Sequence, residues 1–249
     1  QADGKVLVGG YAQVGGNYDF VVTRYNTDGS LDTSFGGGDG VATIAMGPGS
    51  DLGYEVLLQP DGKILMVGAA SNGTDNDFAI VRMNSDGTLD SSFGGGDGIV
   101  TTDIASDDDL GKAVALQADG KIVVGGFARI GGDNNFALIR YNSDGSIDTT
   151  FGGGDGIVTT AVPVYHSHIA DIAIQDDGKI VAIGDAQDGS GSDFAVVRGN
   201  AMTSTRGPIR LTRWTREVKS PPPETSTTTS RAAISPRSRP VTIRMLPNR

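Results

Sequence analysis

The string Gln-x-Asp-Gly-Lys begins at Gln1, Gln59, Gln117 and Gln175, each 58 residues after the last. The sequence between these anchors repeats as well. A fixed internal period of this order means stacked copies of one supersecondary unit, because no single copy can bury its own apolar face. A globular domain built around one asymmetric active site is thereby disfavoured. Three full units start at 1, 59 and 117, and a fourth, incomplete one at 175.

Each unit holds four apolar segments divided by turn residues. The first covers 5–11 (KVLVGGY) and recurs at 63–69, 121–127 and 179–185. It is a short apolar run entered through Asp-Gly, which predicts a hairpin turn feeding a strand buried on both faces. The second covers 19–26 (DFVVTRYN) and recurs at 77–84, 135–142 and 193–198. Phe20, Val22 and Arg24 share one face, and Val21, Thr23 and Tyr25 the other. Small Ala79, Ala137 and Ala195 in the later units permit close approach of a neighbouring sheet. The third (40–45, 98–104 and 156–162) is Thr-rich and suits an outer, half-solvated strand. The fourth (54–58, 112–116 and 170–174) runs directly into the next Gln-x-Asp-Gly-Lys turn.

Four short antiparallel strands per unit, with no amphipathic helical pattern, predict an all-β, β-propeller-like array of four-stranded antiparallel blades. An open β-solenoid is the runner-up, but its coils are usually shorter. Propellers close with roughly four to eight blades, so residues 1–200 are read as an incomplete propeller belonging to a longer parent chain. The strand around Val6–Val8 and its equivalents is expected to be innermost. It is uniformly apolar, which disfavours a catalytic central channel.

Composition divides the chain at about residue 200. Residues 1–198 carry 10 Lys+Arg against 28 Asp+Glu, and residues 199–249 carry 10 Lys+Arg against 2 Glu. Gly falls from 36 to 2 across that boundary, and Pro rises from 3 to 7. The acidic array argues against a nucleic-acid partner, which needs Lys/Arg for phosphates. No apolar run is long enough for a membrane span. With no Cys, disulfides and thiolate metal sites are excluded. The tail 201–249 has two readings: a disordered basic Pro/Ser/Thr/Arg-rich arm, or the product of a frameshift, which we favour. Joining the third base of each codon with the first two of the next permits, across 214–222, Asp-x-Gly-Gly-Lys-Val-Thr-Thr. That string is close to Gly-Asp-Gly-Ile-Val-Thr-Thr at 96–102.

Several motifs could carry chemistry. Asn26, Asp28 and Asp32 surround Gly29 and recur at 84–90 and 142–148. This superficially resembles a calcium loop, since hard cations want clustered oxygens. The bidentate Glu and flanking helices of an EF-hand are missing, so an Asp-Gly hairpin turn with local side-chain caps is the expectation. Phe35-Gly-Gly-Gly-Asp-Gly40 and its copies at 93–98 and 151–156 are expected to be tight positive-φ turns with Phe as a core plug. Neither a phosphate cradle nor a repeat-in-toxin calcium site is expected there. Arg24, Arg82, Arg140 and Arg198, with Asp32, Asp90 and Asp148, are expected to form structural ion pairs. His166 and His168 are the only histidines; a metal would need a third ligand, so a solvated loop or strand edge is expected. No catalytic, cofactor-binding or metal residue is assigned, and no cofactor beyond a weak case for calcium.

The segments 59–64 (QPDGKI), 78–82 (FAIVR), 84–94 (NSDGTLDSSFG) and 98–102 (GIVTT) recur in fixed order and resemble the bacterial delta-60 repeat family. The resemblance covers about residues 1–200. It implies propeller-type repeats in large secreted or surface-associated bacterial proteins, and it supplies no catalytic residues. The chain is therefore expected to be a non-enzymatic interaction module in an extracellular or cell-surface setting. It would bind a protein or glycan through the unit-specific loops at 12–17, 71–76, 129–134 and 187–192. The alternatives are a calcium-stabilised adhesive array and a fragment of a propeller lyase or hydrolase.

Overall fold

The computed structural model describes residues 1–161, 166–187 and 192–199. The basic tail at 201–249, with its disorder and frameshift readings, lies outside the described residues. The described chain is all strand and turn. β1 (Val6–Val14), β2 (Asn17–Tyr25) and β3 (Val41–Ile44) form one sheet, and β4 (Leu52–Leu58), β5 (Ile64–Ser71), β6 (Asn76–Met83) and β7 (Ile99–Thr102) the next. β8 (Asp109–Leu116), β9 (Ile122–Ile130), β10 (Asp133–Tyr141) and β11 (Ile157–Thr160) form the third. β12 (His166–Ile174), β13 (Ile180–Gln187) and β14 (Ser192–Gly199) form the fourth. The last two touch through a single parallel bridge, Asn134 to His166. These are successive antiparallel blades.

The phase of the blade corrects one expectation. The Gln-x-Asp-Gly-Lys turn joins β4 to β5 as a hairpin, with Leu58 opposite Ile64. The segment ending each sequence repeat is therefore the first strand of the next blade. β4 packs against β1 and β8, and β8 against β12, so these strands converge as the inner edges. Val6–Val8 and its equivalents occupy the second position. β3, β7 and β11 are the outer edges, as their Thr-rich alternation predicts.

Blades are held by three apolar layers. Phe20, Val22 and Phe35 of the first blade meet Ile64, Met66, Ala79 and Val81 of the second. Leu65, Val67, Phe78 and Ile80 of the second meet Ile122, Val124, Ile139 and Tyr141 of the third. Val123 and Phe136 of the third meet Ile169, Ile180 and Ala182 of the fourth. β5 is thus buried on both faces, whereas β1 has a covering blade on one side only and exposes Val6 and Val8.

A repeated ion cluster ties each blade to its neighbour. Arg82 Nε donates to Asp90 Oδ2 at 2.6 Å, and Lys63 Nζ reaches the same oxygen at 2.6 Å. Arg82 Nη2 donates to Ser92 Oγ, and the guanidinium lies 4.5 Å from the centre of the buried Phe93 ring. Its Nη1 crosses to the Ser143 carbonyl of the third blade. Arg24, Asp32 and Lys5 repeat the arrangement with Ser85, and Arg140 and Asp148 repeat the ion pair with Lys121. The expected Arg–Asp pairs are present, and the Lys of the anchor motif joins them. In the fourth blade Arg198 donates to Gln175 and pairs at 3.5 Å with Asp177 of the anchor turn; the sequence places Arg206 where the Asp of the other units would fall.

The Phe-Gly-Gly-Gly turn completes the hook. Phe35 is fully buried, Gly36 to Gly38 all have positive φ, and the Gly36 amide donates to the Asp86 carbonyl of the second blade. Gly87, at φ 87°, abuts this turn: a Cβ there would lie 2.9 Å from both the Gly36 nitrogen and the Phe35 ring. Gly29 has nearly the same φ, 84°, but open space around it.

G29A should cost about 1–2 kcal/mol from left-handed backbone strain alone, whereas G87A adds an overpacking cost of about 1–3 kcal/mol. Urea midpoints of the two variants measure the difference. Burial alone would raise Asp90, but Lys63, Ser92 and Arg82 outweigh it and hold the carboxyl well below the usual range. Asp32 (through Lys5 and Ser34) and Asp148 (against burial, through Thr150 and Lys121) are likewise depressed. A depressed carboxyl stabilises the fold above its ordinary value of 3.8 and loses that contribution as the pH falls below it. Thermal unfolding scanned from pH 7 to pH 2 should show the melting temperature dropping below about pH 4. At neutral pH, D90N should cost about 3–5 kcal/mol by leaving the buried Arg82 guanidinium, and the partly exposed Lys63 ammonium beside it, uncompensated.

Candidate functional site at the inner rim

Two ends of the blades differ in character. At one end lie the Gln-x-Asp-Gly-Lys turns, nearly identical in all four units, and the Asn-x-Asp-Gly turns of the first three. At the other lie the β1–β2, β5–β6 and β9–β10 hairpin loops, which differ in every unit, and the connections into β4 and β8. Residues 188–191, in the fourth such loop, lie outside the described residues. The connections are pinned from within. Buried Asp51 accepts the Met46, Gly47 and Ser71 amides, and buried Asp109 accepts those of Ile104 and Ala105. Burial pushes the Asp109 carboxyl up to about 6.

Just inside this end, each inner strand has an irregularity at the same place. The register slips between Gly53 and Glu55, between Gly111 and Ala113, and between Ile169 and Asp171. The extra residues are Tyr54, Lys112 and Ala170. A bulge leaves one residue out of the ladder and re-aims its side chain, and bulges concentrate beside functional sites. The neighbouring positions also vary: Glu55, Ala113 and Asp171 differ in each blade, and His168 stands where the two preceding blades have Leu52 and Leu110.

The re-aimed side chains meet across blades. Lys112 Nζ sits 5.5 Å from the Tyr54 ring centre and 5.9 Å from that of Phe127. Tyr54 packs edge-on against Tyr11 at 6.4 Å, and Tyr11 against Tyr18 at 5.4 Å. The three tyrosines are 37–48% exposed. His168 Nε2 lies 2.9 Å from Asp185 Oδ1 on the paired strand. Burial lowers the His168 pKa, Lys112 lowers it further, and Asp185 opposes both. Glu55 accepts the Val114 amide of the third blade at 2.6 Å; burial raises its pKa, with Asp171 adding to the rise.

Sequence reasoning placed apolar Val6–Val8 innermost and so missed this charge. The signal was present in YEVLL, KAVAL and ADIAI, where one repeat position changes chemistry in each unit. The other motifs fall where the turn chemistry predicts. Asp28 Oδ1 accepts from its own Ser30, and Asp32 is held by Arg24 and Lys5, so the loop resembling a calcium site spends these carboxylates on protein donors. His166 is exposed and faces Gln187, while His168 is half-buried against Asp185. Among the described residues no group of three or more His, Asp or Glu is placed to hold a metal ion. No helix among them is long and apolar enough to cross a membrane.

Blades of up to four antiparallel strands, converging on inner edges and repeating every 58 residues, define a β-propeller-type repeat protein. The family model described as a domain of unknown function (DUF5122) beta-propeller matches residues 1–35, 59–93, 117–151 and 175–202, more than half of the chain. The chain belongs to that family. No curated protein matches it.

The electrostatic coupling is directly measurable. In NMR titration, K112Q should raise the His168 pKa by removing a nearby like charge, and D185N should lower it by removing the opposing carboxylate.

Proposed function

We propose that the chain is a non-enzymatic interaction module that binds a glycan through the variable rim, within a bacterial secreted or cell-surface protein whose longer parent chain supplies further blades. The observation carrying this reading is the run of half-exposed, mutually packed tyrosines, Tyr18, Tyr11 and Tyr54, at the end where the loops differ. Aromatic faces offer large, rigid contact area with little entropy to lose. Sugar rings present C–H faces that stack on such platforms. A protein ligand fits the same rim and is the other outcome of the test. The opposite end is taken up by the turns and ion clusters that join the blades.

Glu55 and Asp171, two carboxylates close enough to influence each other on the inner strands, favour a second reading as a propeller hydrolase or lyase fragment. The calcium-stabilised array is a weaker reading, because the turn carboxylates are already bonded.

The test is a glycan array probed with the purified chain and with a Y11A/Y54A variant of unchanged melting temperature. The binding reading expects a defined set of glycans bound by the parent chain and lost in the variant, without new reducing ends on prolonged incubation. Chain cleavage would favour the enzyme, and binding untouched by the variant would contradict the rim.

A further inference from the structure

Lys112 stands apart from every other lysine in the described chain. Lys5, Lys63 and Lys121 hold the carboxylates of Asp32, Asp90 and Asp148, and Lys179 holds Asp177. Among the described residues Lys112 has no carboxylate within ion-pair distance, although acids outnumber bases 28 to 10 over residues 1–198. Its bulge position aims it out of the β8 ladder, and its ammonium sits between the Tyr54 and Phe127 rings. Ring faces attract a cation without neutralising it. The uncompensated charge is felt by His168 in the next blade.

We propose that Lys112, flanked by Tyr54 and Phe127 with His168 and Asp185 beside it, is a subsite for a carboxylate-bearing sugar ring. This rests on the glycan reading above and names the sugar class it selects. The ammonium pairs with the sugar carboxylate, Tyr54 packs against the ring, and the His168–Asp185 pair meets hydroxyl groups. Charge selects a carboxylate over a phosphate monoester or a polysulfated chain. One lysine balances one negative charge, whereas a dianion or a run of sulfates would face Asp185, Glu55 and Asp171 without further cations. The equivalents of Lys112 are Tyr54 in the second blade and Ala170 in the fourth, neither of them a cation, so the subsite is built once, where the second, third and fourth blades meet.

The probes are oligosaccharides carrying glucuronate, galacturonate, mannuronate, guluronate or sialic acid, with their methyl esters and neutral counterparts. They are printed together and then titrated in solution against the parent chain and K112Q. Lys112 has no ion pair to lose, so K112Q should fold with an unchanged melting temperature. The expected result is binding of an acidic sugar that weakens about tenfold on methyl esterification, and as much in K112Q, with the ester binding both proteins alike. Occupancy by the acid should also raise the His168 pKa in the parent chain and not in K112Q. Neutral glycans bound as tightly as acids, with K112Q indistinguishable from the parent, overturn the subsite while leaving the glycan reading standing. Selective binding of sulfated or phosphorylated glycans also overturns it. No glycan bound by either protein removes the glycan reading and the subsite together.

Discussion

The arginine that leaves its own blade is the contact on which the array depends. Arg82 lies in β6, pairs with Asp90, whose carboxylate Lys63 shares, stacks on Phe93, and donates an N–H to a backbone carbonyl of the next blade. Burying a guanidinium is costly unless every donor and the charge are satisfied. Here Asp90, Ser92 and the Phe93 ring, just ahead of the Gly-Gly-Gly turn, meet the guanidinium from its own unit, Ser143 meets it from the adjacent unit, and Lys63 of the Gln-x-Asp-Gly-Lys turn completes the cluster on Asp90. That explains why those motifs travel as a set with fixed spacing. Apolar layers supply cohesion between blades, and the ion cluster supplies register, because a blade shifted by one residue would orphan it.

Concentrating the joints at one end frees the other. The turns that form the clusters are nearly interchangeable between units. The rim loops and the bulged residues of the inner strands are not: Tyr54, Lys112 and Ala170 occupy one structural position with three chemistries. In a repeat protein this contrast separates architecture from unit-specific chemistry without reference to any other sequence. The meeting of Tyr11, Tyr54, Lys112 and His168 is a product of stacking, since each comes from a different blade.

Most of the fold was legible in the sequence because 58-residue self-similarity multiplies weak strand signals. The strands, the Asp-Gly hairpins, the buried Phe plug and the Arg–Asp pairing all follow from residue pattern and turn chemistry. The phase of the blade did not follow. A repeat has no natural starting point, and placing it at Gln59 assigned 54–58 to the preceding blade. The two-way cue was the short turn from Leu58 to Ile64 against the longer connection from Ile44 to Leu52, since only the longer one can cross between sheets. The inner-rim site was illegible for a related reason. Bulges leave no periodic trace, and residues 58 apart are neighbours only once the inner edges are known to converge.

Amide hydrogen exchange of the parent chain and of an Arg82→Gln variant, resolved by blade, is the most direct measurement of the central claim. If the arginine joins blades, protection should fall together in the facing strands of the second and third blades, including β6 and β10, while β1 and β13 change little. Loss confined to the second blade would show that the cluster is an internal feature of each unit, and that apolar packing alone sets how the blades stack.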